Sequence, residues 1–143
     1  MPTPETAVIV GVGPGLGAAL VRCFAGAGMQ VVAAARNAER ASVVLSGTGA
    51  RVHSCDATEE VEVEALFARI AGEAGAPALV VHNPSHLLMK PPLDLTAEDF
   101  VEAWRVACFG GFLVGRSAAR AMLEAGRGTI LFTRSTPSVK GGP

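Results

Sequence analysis

Short apolar runs alternate along the chain with longer stretches whose apolar positions recur every three or four residues. The runs at 6–11, 30–35, 50–55, 77–82 and 128–133 read as strands. Between them the spacing predicts helices at 15–27, 37–47, 59–74 and about 96–125. Val63, Leu66, Phe67 and Ile70 give the third helix one apolar face; Leu16, Leu20, Cys23, Phe24 and Ala27 are expected to give the first helix its own. Thr96 is placed to cap the long helix, with Glu98 and Asp99 in its first turn to complement the helix dipole. Ala107, Gly110, Gly111, Gly115 and Ala118 would let that helix lie flat on a sheet or let another helix approach it. Regular alternation predicts an α/β fold, a doubly wound parallel sheet of about five strands with helices on both faces and right-handed crossovers. Neither a repeat nor a linker interrupts the chain, so residues 1–143 are expected to form a single domain, with 134–143 as a loop-like tail.

The first strand runs into Gly11-Val-Gly13-Pro14-Gly15-Leu16-Gly17 before its helix begins. Free backbone N–H groups at such a helix start, with the positive end of the helix dipole, suit a phosphate. Gly11, Gly15 and Gly17 spell G-x-x-x-G-x-G; the common G-x-G-x-x-G fingerprint fails because Leu16 stands at its third glycine. No Lys-Ser or Lys-Thr pair follows, which excludes a Walker A loop. Gly11, Gly13 and Gly15 also spell the G-x-G-x-G turn of many methyltransferases that use S-adenosylmethionine, and that alternative stays open at this point.

Composition narrows the partners. Half the residues are apolar, mean hydropathy is +0.39, and 12 Lys and Arg stand against 13 Asp and Glu with no block of like charge. That balance gives no support to a nucleic-acid or anionic-membrane partner. Cys23, Cys55 and Cys108 are isolated and make no metal-ligand spacing with His53, His82 or His86, so they are expected to be reduced core thiols and no metal is expected. No signal-peptide pattern opens the chain, and the most apolar window, Val106 to Gly115, is short of the ~20 residues that span a bilayer. A soluble, cytoplasmic protein is expected.

Ligands of doubly wound sheets bind at the carboxyl ends of the strands. The glycine turn follows the first strand, Arg36 and Asn37 the second, Asp56 and Ala57 the third, and Asn83, Pro84 and Ser85 the fourth. Arg36 is the most decisive: a free ribose 2′-hydroxyl is usually held by a carboxylate, whereas a 2′-phosphate calls for a guanidinium fork. The residue therefore favours NADP(H) over NAD and S-adenosylmethionine; the plainer reading is a solvated Arg at a helix start. Asp56 is expected to bond an adenine amino group or to cap the following helix, and Asn83 to bridge strand ends.

With these motifs in order, the sequence resembles the short-chain dehydrogenase/reductase family, of the NADP-preferring type, over nearly its whole length. The resemblance rests on Gly11-x-x-x-Gly15-x-Gly17, on Cys55-Asp56-Ala57-Thr58 at the adenine position, and on Val81-His82-Asn83-Pro84-Ser85 where the family has Asn-Asn-Ala-Gly. Leu93 to Phe100 and Trp104 to Leu113 resemble its central helix, and Gly128 to Ser135 its fifth strand and catalytic serine. It implies a Rossmann-like fold and hydride transfer between NADP(H) and a small carbonyl or alcohol substrate. Gly11, Gly13, Pro14, Gly15, Leu16, Gly17, Arg36, Asn37, Asp56, Ala57, Asn83 and Pro84 would bind the cofactor, and Ser135 would polarise the substrate oxygen. Thr136 and Ser138 are near enough to Ser135 to leave that register open.

The chain departs from the family pattern in particular places. Ala107 stands where the family has an asparagine that holds a relay water; His82 replaces the first asparagine of Asn-Asn-Ala-Gly, and Ser85 its glycine. The chain contains no tyrosine, so it lacks the family's Tyr-x-x-x-Lys acid, and neither Lys90 nor Lys140 fits that motif. The resemblance then implies a fragment of a longer enzyme or a truncated product without the family's last strands. A fifth strand left as a sheet edge and apolar helix surface without cover are expected, with poor stability or association as the result, and a homo-oligomer is expected for a full-length form. A binding protein that has lost the chemistry is the main functional alternative.

Overall fold

A computed structural model describes residues 3–140. The strands β1 (Thr6–Val10), β2 (Gln30–Ala35), β3 (Arg51–Ser54), β4 (Leu79–His82) and β5 (Thr129–Phe132) pair in parallel in the order β3-β2-β1-β4-β5. The chain builds outward from β1 to β3, then returns to lay β4 and β5 on the other side of β1. This is the predicted Rossmann-like doubly wound sheet, and its order reverses between β1 and β4.

Burial on both faces explains why the strands read as unbroken apolar runs. Val8, Val10, Val32, Ala34 and Val80 pack into one layer beneath α3 (Glu60–Ala74) and the long helix. Ala7, Ile9, Val31, Ala33 and Val81 pack into the other, with α1 (Leu16–Gly26) and α2 (Ala38–Val44). Val63, Leu66, Phe67 and Ile70 are the buried face of α3, as their spacing predicts.

The long helix is continuous from Ala97 to Ala125. It comprises α4 (Ala97–Trp104), a π turn (Arg105–Phe109) and α5 (Gly110–Ala125). Thr96 caps it as expected: its hydroxyl accepts from the Asp99 N–H at 3.1 Å, and the Asp99 carboxylate accepts from the Thr96 N–H at 3.1 Å. Left-handed Gly126 (φ 71°) ends it. The small residues serve the sheet. A Cβ at Gly110 would come within 3.1 Å of the Ala57 carbonyl oxygen, and one at Gly115 within 3.0 Å of the Phe132 ring. Although Val106 to Gly115 is short, the 29-residue helix containing it is long and apolar enough to cross a bilayer by length and composition alone. Leu113, Val114, Ala118 and Met122 instead bury one side of it in the core.

Several expectations are corrected. The buried side of α1 is Gly17, Ala18 and Val21, with Leu20 and Phe24 partly buried, whereas Leu16, Cys23 and Ala27 are exposed. Gly17 lies against the Gly11 carbonyl, and that contact rotates the helix toward its smallest residues. Of the three cysteines only Cys55 is buried; Cys23 and Cys108 are exposed. The stretch read as a loop-like tail holds a short helix, α6 (Pro137–Lys140), while 141–143 lie outside the described residues.

Candidate functional site

The carboxyl ends of the strands open into one cleft of about 1020 Å³. Gly11, Gly13, Gly15, Leu16 and Gly17 line it from the first turn, Arg36 from the second, Asp56 and Ala57 from the third. Asn83, Pro84 and Ser85 line it from the fourth, and Ser135 from beyond β5. Pro14 and Asn37 are not among the lining residues. Asn37 caps α2, its side-chain oxygen accepting from the Arg40 N–H at 2.8 Å.

Two glycines of the turn are required by the protein itself. Gly11 has φ +89°, and a Cβ there would stand 2.5 Å from the Pro84 nitrogen. One at Gly17 would stand 2.7 Å from the Gly11 carbonyl oxygen. Gly13 and Gly15 differ: an added Cβ at either meets nothing within 4 Å. No internal contact calls for their lack of a side chain, and both border the cleft. Bare backbone there is the geometry by which a helix start admits a pyrophosphate.

Asn83 ties the floor together. Its amide N–H donates to the Gly11 carbonyl at 2.9 Å, and its side-chain oxygen accepts from the Thr133 hydroxyl at 3.0 Å, joining the ends of β1, β4 and β5 as expected of a strand-end bridge. The bonding roles of Thr133 and Thr58 were not foreseen, although both stand in the motifs that carry the resemblance. Thr58 gives Asp56 its conformation: the carboxylate accepts from the Thr58 N–H at 2.9 Å and from its hydroxyl at 2.7 Å. Asp56 therefore closes a local turn, and the cap position of α3 belongs to Glu59, which corrects the helix-cap reading. Burial raises the Asp56 pKa, but the two Thr58 hydrogen bonds and the nearby Arg36 and Arg105 outweigh it and hold the carboxyl below its usual value.

The far wall is the π turn, from which Arg105, Val106, Ala107 and Cys108 line the cleft. Arg105 is ion-paired with Glu59 and stands 4.0 Å from Glu102. Burial, with Glu62 and Asp56, pushes the Cys55 thiol up to about 12, so it stays protonated at neutral pH and is no nucleophile. Lys90 is held by Asp99 at 2.6 Å, away from any catalytic pairing.

Comparison with known proteins follows this geometry closely. The family described as short chain dehydrogenase matches residues 5–143. The chain belongs to the short-chain dehydrogenase/reductase family. It is 35% identical over 146 residues to short-chain dehydrogenase reductase 3a of Arabidopsis thaliana, covering 97% of this chain and 56% of that protein. Among solved structures, a short-chain type dehydrogenase/reductase from Mycobacterium marinum superposes with a TM-score of 0.91 at 31% identity, covering 99% of this chain and 60% of that one. An actinorhodin polyketide ketoreductase variant, solved with NADPH, has a TM-score of 0.91 at 26% identity and is covered to 58%. The chain thus spans little more than half the length of these relatives. Family membership sets aside the methyltransferase reading of Gly11, Gly13 and Gly15, and a nicotinamide cofactor is the ligand class of the family.

Proposed function

We propose that this chain is the NADP(H)-binding part of a cytoplasmic oxidoreductase that interconverts a small carbonyl compound and its alcohol, and that its full-length form is a homo-oligomer. The observation that carries the reading is the convergence on one cleft of two glycines without internal cause, Gly13 and Gly15, with Arg36 beside Asp56. When bound, NADP(H) supplies or accepts the hydride.

The residues divide the remaining work. N–H groups of the turn and the start of α1 would hold the pyrophosphate, with Leu16 at its border, while Pro14, outside the lining, would act only by shaping the turn. Arg36 would face the 2′-phosphate and Asp56 and Ala57 the adenine, over the floor that Asn83 and Pro84 make with Gly11. Ser135 lines the same cleft, where its hydroxyl would donate to the substrate oxygen. A tyrosine to pass the proton is not among these 143 residues, so the chain alone is expected to bind cofactor without oxidising it.

Calorimetric titration tests the reading. NADPH is expected to bind more tightly than NADH, and S-adenosylmethionine not at all; tighter NADH binding would remove the role given to Arg36. Arg36→Asp should weaken NADPH by about tenfold or more and leave NADH less affected, because a carboxylate there repels the 2′-phosphate.

A further inference from the structure

His82, the last residue of β4, is 3% exposed, and neither of its ring nitrogens has a hydrogen-bond partner among the described residues. The ring lies under the long helix at two of its three glycines, Gly110 and Gly111. A Cβ at Gly110 would stand 3.5 Å from His82 Cε1, and one at Gly111 3.5 Å from its Cδ2 and Nε2. Immediately before Gly110 comes the π turn, Arg105–Phe109. Such a turn departs from the i to i+4 hydrogen-bond ladder and so changes which carbonyls are paired within the helix. Burial pushes the His82 pKa down, while the carbonyls of Ala107 and then Val106 act on the ring in the opposite sense. A neutral imidazole presents one N–H donor and one acceptor, and a buried donor left beside a carbonyl is a bond waiting to be closed.

We propose that His82 is a positioning residue for the π turn, its ring N–H donating to the Ala107 carbonyl and so fixing the cleft wall from Arg105 to Cys108. An apolar side chain of the same size would fill the space but leave the turn unheld. The backbone of His82 is already anchored: its carbonyl accepts from the Thr133 N–H at 3.1 Å, and the next residue, Asn83, bonds Gly11 and Thr133. A side-chain bond to Ala107 would add the helix to the three strand ends joined there. Arg105, at the start of this wall, also bears on Asp56, so the turn links both sides of the cleft. This role goes beyond the cofactor reading and uses no property of a bound nucleotide.

The test uses the 143-residue chain without nucleotide. Long-range proton–nitrogen spectra at pH 7 should show His82 neutral, with one ring N–H protected from exchange; a freely exchanging ring overturns the proposal. His82→Phe should speed amide exchange from Val106 to Gly110 by about tenfold and leave the amides of α1 unchanged. His82→Gln, which keeps a donor, should restore most of that protection. Unchanged exchange in the Phe variant, equal acceleration in every helix, or Gln behaving as Phe does would each overturn it. Failure of NADPH to bind would leave these outcomes untouched, so the two readings fail separately.

Discussion

A methyl group at Gly17 would press on backbone, 2.7 Å from the Gly11 carbonyl oxygen and 2.9 Å from the Val12 Cα, whereas one at Gly15 would meet nothing. The two substitutions therefore separate folding from binding. Gly17→Ala is expected to destabilise the chain by about 1–3 kcal/mol, the usual range for overpacking, read as a lower midpoint in urea. Gly15→Ala should leave that midpoint nearly unchanged but weaken NADPH by about tenfold, since the new Cβ projects into the cleft where backbone meets phosphate. Equal loss of stability in both would show that Gly15 serves the fold alone. The glycine pattern was legible in the sequence, but the division of labour within it was not. Spacing names the turn, while only the approach of Pro84 and the Gly11 carbonyl shows which glycines the protein needs for itself. The bonding roles of Thr133 and Thr58 were illegible for a related reason, because each acts by bonding a partner, Asn83 or Asp56, and no motif records the bond.

At the scale of elements, the long helix carries the clearest agreement between sequence and structure. Thr96, Glu98 and Asp99 announce its start, and the cap forms as a reciprocal pair. Thr96→Ala should cost about 1 kcal/mol, the typical worth of such a cap, and loosen the amides of α4 before those of α5. The same cap is pH-dependent. Lys90, then the Thr96 N–H, holds the Asp99 carboxyl below its usual pKa, so its contribution is fully present above the unfolded-state value near 4 and is lost as pH falls through the lower folded value. Amide exchange in the first turn of α4, corrected for intrinsic rates, should rise between pH 5 and pH 3 in the native chain. Asp99→Asn should flatten that rise; a slope unchanged by the substitution would disprove the assignment. What the periodicity could not show was the π turn inside this helix, because neither α4 nor the turn buries a side chain, so no buried stripe crosses it to reveal a change of phase. The rotated face of α1 escaped for the opposite reason. Its largest apolar residues suggested the wrong stripe, and the close approach of Gly17 to the turn selected Ala18 and Val21 instead.

For the whole molecule, the sheet order places β5 at one edge, with Leu131 46% and Phe132 55% exposed. Beside it an apolar groove of about 490 Å³ runs along the long helix between Gly111, Phe112, Gly115 and Phe132. Arg116 stacks over Phe112 at 5.0 Å and pairs with Glu60, so the groove is bordered by charge but not covered by it. An edge strand with apolar side chains offers unpaired backbone groups to any second strand, which makes it a template for association. The opposite edge is defended: on β3, Arg51 and His53 both meet Glu73, and Arg69 reaches the His53 ring at 3.3 Å. Association through β5 should therefore be visible in this chain as a sedimentation coefficient that rises with concentration. Leu131→Lys places a charge on the exposed strand and should suppress that rise without lowering the urea midpoint, because the side chain it replaces is already half in water. The β3 edge supplies the control: if Val52→Lys, on the partly buried strand there, suppressed association as well as Leu131→Lys does, the contact would not be specific to β5. Concentration-independent sedimentation of the unmodified chain would mean that the groove and the β5 edge, though apolar, are too small to hold two copies together.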